Sequence, residues 1–157
     1  MAGRDKEYLM TRILVVDDNQ KNLEAAKNQL TGCELTTCAT FTEAKAAIIN
    51  GNFHVVMTDV MMPGEKNGQG PQSAHYVGSL VPIGLVVALL ALKQDVPHIY
   101  IVSDTNHHDH PVAWALDSIV GGKRIKAACG YACPKIDGAK NWAAVLSGAS
   151  ARIDGDI

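Results

Sequence analysis

Apolar positions along the chain fall into two alternating patterns. Ile13-Leu-Val-Val16 and Val55-Val-Met-Thr58 are short, β-branched-rich runs with no polar interruption, the signature of strands buried on both faces as in a parallel sheet. Between them the period changes. Leu23, Ala26 and Leu30 recur at helical spacing after Asp18 or Asn19, either of which suits an N-cap, and Gly32 closes that helix. A strand over 34–39 follows, then a helix capped near Thr42 with Ala44, Ala47 and Ile48 facing inward, and Asn50-Gly51-Asn52 leads into the next strand. Strand and helix alternate, which predicts a parallel sheet covered by helices on both faces.

The rhythm breaks over 64–81, where Gly64, Gly68, Gly70, Pro71 and Gly78 give a loop-like segment with no helical period. Ile83 to Leu92 is then apolar all round. It is too short for a membrane span and is interrupted by Pro82 and Gly84, so it reads as a buried crossover helix with apolar surface to spare for a partner. A fourth strand ends at Ser103-Asp104. The loop Thr105 to Pro111 carries His107, His108, Asp109 and His110, and helical sequence runs over Val112–Val120. A fifth strand lies within 123–134 and a last helix over Ala139–Leu146.

Length and composition narrow the class. A chain of 157 residues suits one domain with a three-layer core, here 12–150 with an insertion at about 64–81, a lead-in over 1–11 and a tail over 151–157. The net charge of −2 and pI near 6.3 offer no basic face, so a nucleic-acid partner is not expected. The N-terminus has charged residues and no apolar core of a signal peptide, and four cysteines in a chain this large suit a reducing compartment. The expected location is the cytoplasm, with no membrane attachment.

The candidate chemistry is acidic. Asp59 ends one buried strand and the pair Asp17-Asp18 ends another, so the sheet delivers three carboxylates to the edge where open α/β folds bind ligands. Carboxylates gathered there repel one another unless a cation lies among them, and that favours a divalent metal. The histidine cluster at 107–110 does not match a zinc-ligand spacing and reads as a solvated loop. Cys129 and Cys133 lack CxxC spacing and read as core thiols.

The pairing of ILVVDDN with TDVMMPG about forty residues later resembles the receiver domain of two-component response regulators. Ile99-Tyr-Ile-Val-Ser103 and Cys133-Pro134-Lys135 continue the resemblance. It implies a flavodoxin-like (CheY-like), doubly wound α/β/α fold with a five-stranded parallel sheet in the order 2-1-3-4-5. It further implies Asp59 as phosphoacceptor and Mg²⁺ held by Asp18 and Asp59, by Asp17 through water and by the backbone carbonyl of Met61. Ser103 and Lys135 would contact the phosphoryl oxygens. The implied partners are a histidine kinase or phosphotransfer protein and a downstream protein target, with a homodimer as a further option. Such a chain would catalyse its own phosphorylation and dephosphorylation without being an enzyme in the ordinary sense.

This chain departs from the family pattern at several places. Proline precedes Lys135 instead of following it, which leaves Lys126 as a weaker substitute. Tyr131 is one residue off the register of the usual aromatic switch. The segments at 64–81 and between Ser103 and Lys135 are long for the family. Asp104 stands where the family has a small residue; it would either repel an incoming phosphoryl group or cap the turn at 105–108. These departures support a rival reading, a receiver-like interaction module that is no longer phosphorylated.

Overall fold

The computed structural model describes residues 10–65, 77–104, 115, 124–129 and 133–149. Its centre is a five-stranded parallel sheet built from β1 (Arg12–Val16), β2 (Glu34–Cys38), β3 (Val55–Thr58), β6 (His98–Ser103) and β7 (Ile125–Cys129), in the order β2-β1-β3-β6-β7. With the two intervening short strands set aside, this is the 2-1-3-4-5 order expected from the sequence. The chain passes through α1 (Gln20–Gln29), α2 (Phe41–Asn50) and α3 (Ile83–Lys93), and ends in α4 (Trp142–Ala144), which runs into a π-helical turn at Val145–Ala149.

The unbroken apolar runs work as the pattern demands. β1 and β3 are inner strands, and successive side chains point to opposite faces. Leu14, Val16 and Val56 pack on one side with Ala44 and Ile48 of α2 and Val87, Ala88 and Ala91 of α3. Ile13, Val15, Val55 and Met57 pack on the other with Leu23 and Ala26 of α1, and with Trp142 and Val145. Every residue of β3 is buried, so its direction brings Asp59 to the C-terminal edge with no freedom of register.

Three expectations shift. α2 begins at Phe41, not beyond Thr42: Thr40 is its N-cap, with Oγ1 accepting from Glu43 N at 3.2 Å and its hydroxyl donating to Glu43 Oε1 at 3.0 Å. Residues 139 and 140, expected in the last helix, form β9 (Ala139–Lys140), which pairs antiparallel with β8 (Lys135–Ile136). The loop-like segment expected over 64–81 ends in β5 (Leu80–Val81), which pairs antiparallel with β4 (Met62–Pro63) just before the segment; residues 66–76 lie outside the described residues. The helix expected over Val112–Val120, the histidines at 107, 108 and 110, Asp109, Tyr131, the turn at 105–108 and the tail at 151–157 lie outside the described residues, apart from Ala115. No described helix is long and apolar enough to cross a membrane.

Candidate functional site

The ends of β1 and β3 bring Asp17, Asp18 and Asp59 together, with one carboxylate oxygen of each within 4.8 Å of the others. Asp17 is fully buried, Asp59 nearly so, and Asp18 is exposed. The chain has built for the buried acids. Asp17 Oδ1 accepts from Asn19 N at 2.9 Å, and Asp17 Oδ2 accepts from Asn22 Nδ2 at 3.1 Å. Asp59 Oδ1 accepts from Val60 N at 2.8 Å. Asn19 also caps α1 through its side chain, which accepts from Lys21 N. One turn of chain therefore starts the helix and fixes the first acid.

Among the described residues, the amine that reaches the acids is that of Lys140. Its Nζ lies 2.6 Å from Asp17 Oδ2 and 3.1 Å from Asp59 Oδ1, and the side chain is 1% exposed. Lys140 N donates to Asn22 Oδ1 at 2.9 Å, and Lys140 O accepts from Gln29 Nε2 at 3.0 Å. The backbone of β9 is thereby pinned to α1 at both of its polar groups. Trp142 Nε1 donates to Asn22 O, and its ring centre lies 5.4 Å from the Lys140 amine. The ribbon β8–β9 turns through Asp137 and Gly138, both at positive φ, the conformation that favours an Asp-Gly pair in a two-residue hairpin.

Lys135, the lysine expected at the site, ends elsewhere: its Nζ is 3.0 Å from Asp104 Oδ2 at the end of β6. Ser103, buried, closes β6 on the same sheet edge, and Met61 follows β3 in the turn before β4. Lys126 is buried mid-strand on β7, with its amine 5.3 Å from the Tyr100 ring centre. All four cysteines are free thiols; Cys133 is buried and Cys129 half-buried.

Burial pushes the Asp59 carboxyl up to about 6; the Lys140 charge opposes that and the Asp17 charge adds to it. Burial likewise raises Asp18, helped by Asp17. Burial works against the Lys140 charge, yet Asp59 and Asp17 outweigh it and hold the amine above its usual range. The two shifts pull the Asp59–Lys140 pair in opposite directions. The 2.6 Å contact with fully buried Asp17 decides for a charged lysine.

A raised carboxyl binds its proton more tightly in the folded than in the unfolded chain. Its stabilising contribution is therefore complete below the ordinary value of 3.8 and is lost as pH rises through about 6. Denaturation midpoints of metal-free protein across that window should show a decline that Asp59→Asn removes; an identical pH profile in the variant would contradict the assignment.

Asn22 is the site residue that hydrophobic periodicity passed over. It donates to Asp17, accepts from Lys140 N and receives the Trp142 indole, joining α1 to the acid cluster and to β9. Asn22→Ala removes the acceptor of buried Lys140 N and one of the two donors to Asp17 Oδ2. It should cost about 2–4 kcal/mol, read as a lowered urea midpoint with an unchanged slope.

Three hard carboxylate oxygen donors at this spacing fit a divalent cation such as Mg²⁺, which prefers carboxylate and water ligands. No family model and no curated protein matches the chain. Solved structures do match its fold. The chain is similar to a CheY-like response regulator receiver domain protein from Methanospirillum hungatei JF-1, at 19% identity and a TM-score of 0.57 over 93% of this chain and 95% of that one. It is similar to a receiver domain protein from Clostridium thermocellum, at 21% and 0.55 over 94% and 96%. It is also similar to the response regulator TrrA from Thermotoga maritima, solved in complex with Mg²⁺-BeF, at 23% and 0.52 over 92% and 99%.

Proposed function

We propose that this chain, which has the fold of response regulator receiver domains, is a phosphorylation-switched relay of a two-component system. In this reading Asp59 accepts a phosphoryl group from a histidine kinase or phosphotransfer protein, and the phosphorylated form engages a downstream protein. The observation that carries the reading is the meeting of Asp17, Asp18, Asp59 and the Lys140 amine at the carboxyl edge of that sheet. TrrA, a neighbour in fold, was solved with Mg²⁺ and a fluoroberyllate, which supports extending the metal to this site.

In the transfer an Asp59 carboxylate oxygen forms a bond to phosphorus while the bond from phosphorus to the donor imidazole breaks. The imidazole leaves with the electron pair and takes up a proton. Catalysis of such a step is mostly positioning and charge neutralisation. Asp18 and Asp59, Asp17 through water and the Met61 carbonyl would hold Mg²⁺, which supplies positive charge to the phosphoryl oxygens. The Ser103 hydroxyl would donate to one phosphoryl oxygen. The cation expected of Lys135 is supplied by Lys140, already seated on the acceptor, with Lys135 beside it on the same ribbon.

The test is incubation with Mg²⁺ and a small-molecule phosphodonor, read by intact mass. We expect one added phosphoryl group, labile in acid. An unmodified mass under conditions that label a known receiver would decide for an interaction module that is not phosphorylated.

A further inference from the structure

The ribbon β8–β9 sets two lysines next to each other. Lys135 and Lys140 are partners in its register, so their side chains leave the same face, with Cβ atoms roughly 5 Å apart. Each ends on a carboxylate at the C-terminal edge of the sheet: Lys140 on Asp17 and Asp59, Lys135 on Asp104. The second pair is the outer one. Lys140 is 1% exposed, whereas Lys135 and Asp104 show 40% and 58% of their side chains to solvent. Asp104 directly follows buried Ser103 at the end of β6. Burial opposes its charge, but the Lys135 hydrogen bond and charge, and then the Lys140 charge, hold its carboxyl below the ordinary range. The carboxylate thus lies in the field of both lysines.

We propose that the Asp104–Lys135 pair determines which phosphodonors the site accepts, by keeping its outer rim close to neutral. Asp104 retains Lys135, so small dianionic donors are not gathered by an open positive charge. The inference rests on the reading of Asp59 as phosphoacceptor. It replaces the simpler expectation of a bare Asp104 carboxylate repelling the donor, since that carboxylate carries its own counter-ion. Releasing either partner uncovers a unit charge, and the two partners uncover opposite signs. About 6 Å from a donor, at an effective dielectric near 40 for so exposed a pair and with salt screening over about 8 Å, such a charge changes encounter by about tenfold for a dianion and about threefold for a monoanion.

The experiment measures initial labelling rates with Mg²⁺ for the wild-type chain, Asp104→Asn, Lys135→Gln and the double variant. Two donors are used: acetyl phosphate, a dianion at neutral pH, and phosphoramidate, a monoanion whose P–N bond resembles that of phosphohistidine. Asp104→Asn should raise the acetyl phosphate rate about tenfold and the phosphoramidate rate about threefold. Lys135→Gln should lower both in the same order, and the double variant should return near wild type. Asp104→Glu should restore the wild-type donor ratio. A bridge that only braces the ribbon predicts the same direction for both single variants, with equal effects on the two donors and lowered melting temperatures; that pattern overturns the proposal. An unchanged donor ratio in labelled variants overturns it alone. A wild-type chain that neither donor labels removes the phosphoacceptor reading and this inference together.

Discussion

Asp59→Asn should take up no acid-labile phosphate from any donor, while retaining the fold. The substitution is nearly isosteric, and the amide can still accept from Val60 N, as Asp59 Oδ1 does at 2.8 Å. It removes the anionic oxygen that attacks phosphorus, and no other side chain occupies that position at the end of β3. The loss is one of chemistry, so labelling should fall to background, whereas the melting temperature should move only by the few degrees that about 1 kcal/mol represents in a domain of this size. Asp17 and Asp18 supply a built-in check, since both lie beside Asp59. If the variant is still labelled at the wild-type rate and peptide mapping puts the phosphate on Asp17 or Asp18, the acceptor is misassigned.

Gly84→Ala should destabilise the chain and displace the acceptor, although helix propensity argues the reverse. In an exposed helix, alanine for glycine gains about 1 kcal/mol. Here a Cβ would stand 1.6 Å from Asp59 O, 2.6 Å from Asp59 C and 2.7 Å from Val60 Cα, all of them backbone atoms with nowhere to turn. Gly84 N also donates to Val60 O at 2.8 Å, so α3 is locked to the chain segment that carries the acid. Overpacking at such a contact costs about 1–3 kcal/mol or more, enough to reverse the propensity gain. The expected result is a net loss of about 1–2 kcal/mol in denaturant titration together with slower phosphorylation. A variant more stable than wild type would show that α3 does not approach Asp59 this closely.

How much of this could be read from the residues depends on which forces set them. The strands and the acids that end them were legible, because apolar runs bounded by Asp17-Asp18 and Asp59 leave one arrangement that buries the former and exposes the sheet edge to the latter. Lys140 was not. Lys135 stands nearer in sequence to the end of β7, and the expected last helix over Ala139–Leu146 passes over the hairpin signal of the Asp137-Gly138 pair that folds the chain back. Asn22 was hidden because it sits beside Leu23 on α1, where hydrophobic periodicity weighs only the apolar face; its role depends on the Lys140 backbone and the Trp142 indole, more than a hundred residues away. Thr40 and Glu43 carried a capping-box spacing that would have placed the start of α2 correctly.

The ribbon formed by β4 and β5 has a further consequence for engineering. Met62 pairs with Val81 and Pro63 with Leu80, so the two ends of the excursion that leaves the sheet after Asp59 are stapled side by side before the chain goes anywhere else. Closing a longer excursion on that staple costs only about 0.6 kcal/mol for each doubling of its length. Length added beyond the ribbon therefore leaves the cost of closing it, three residues from Asp59, almost unchanged.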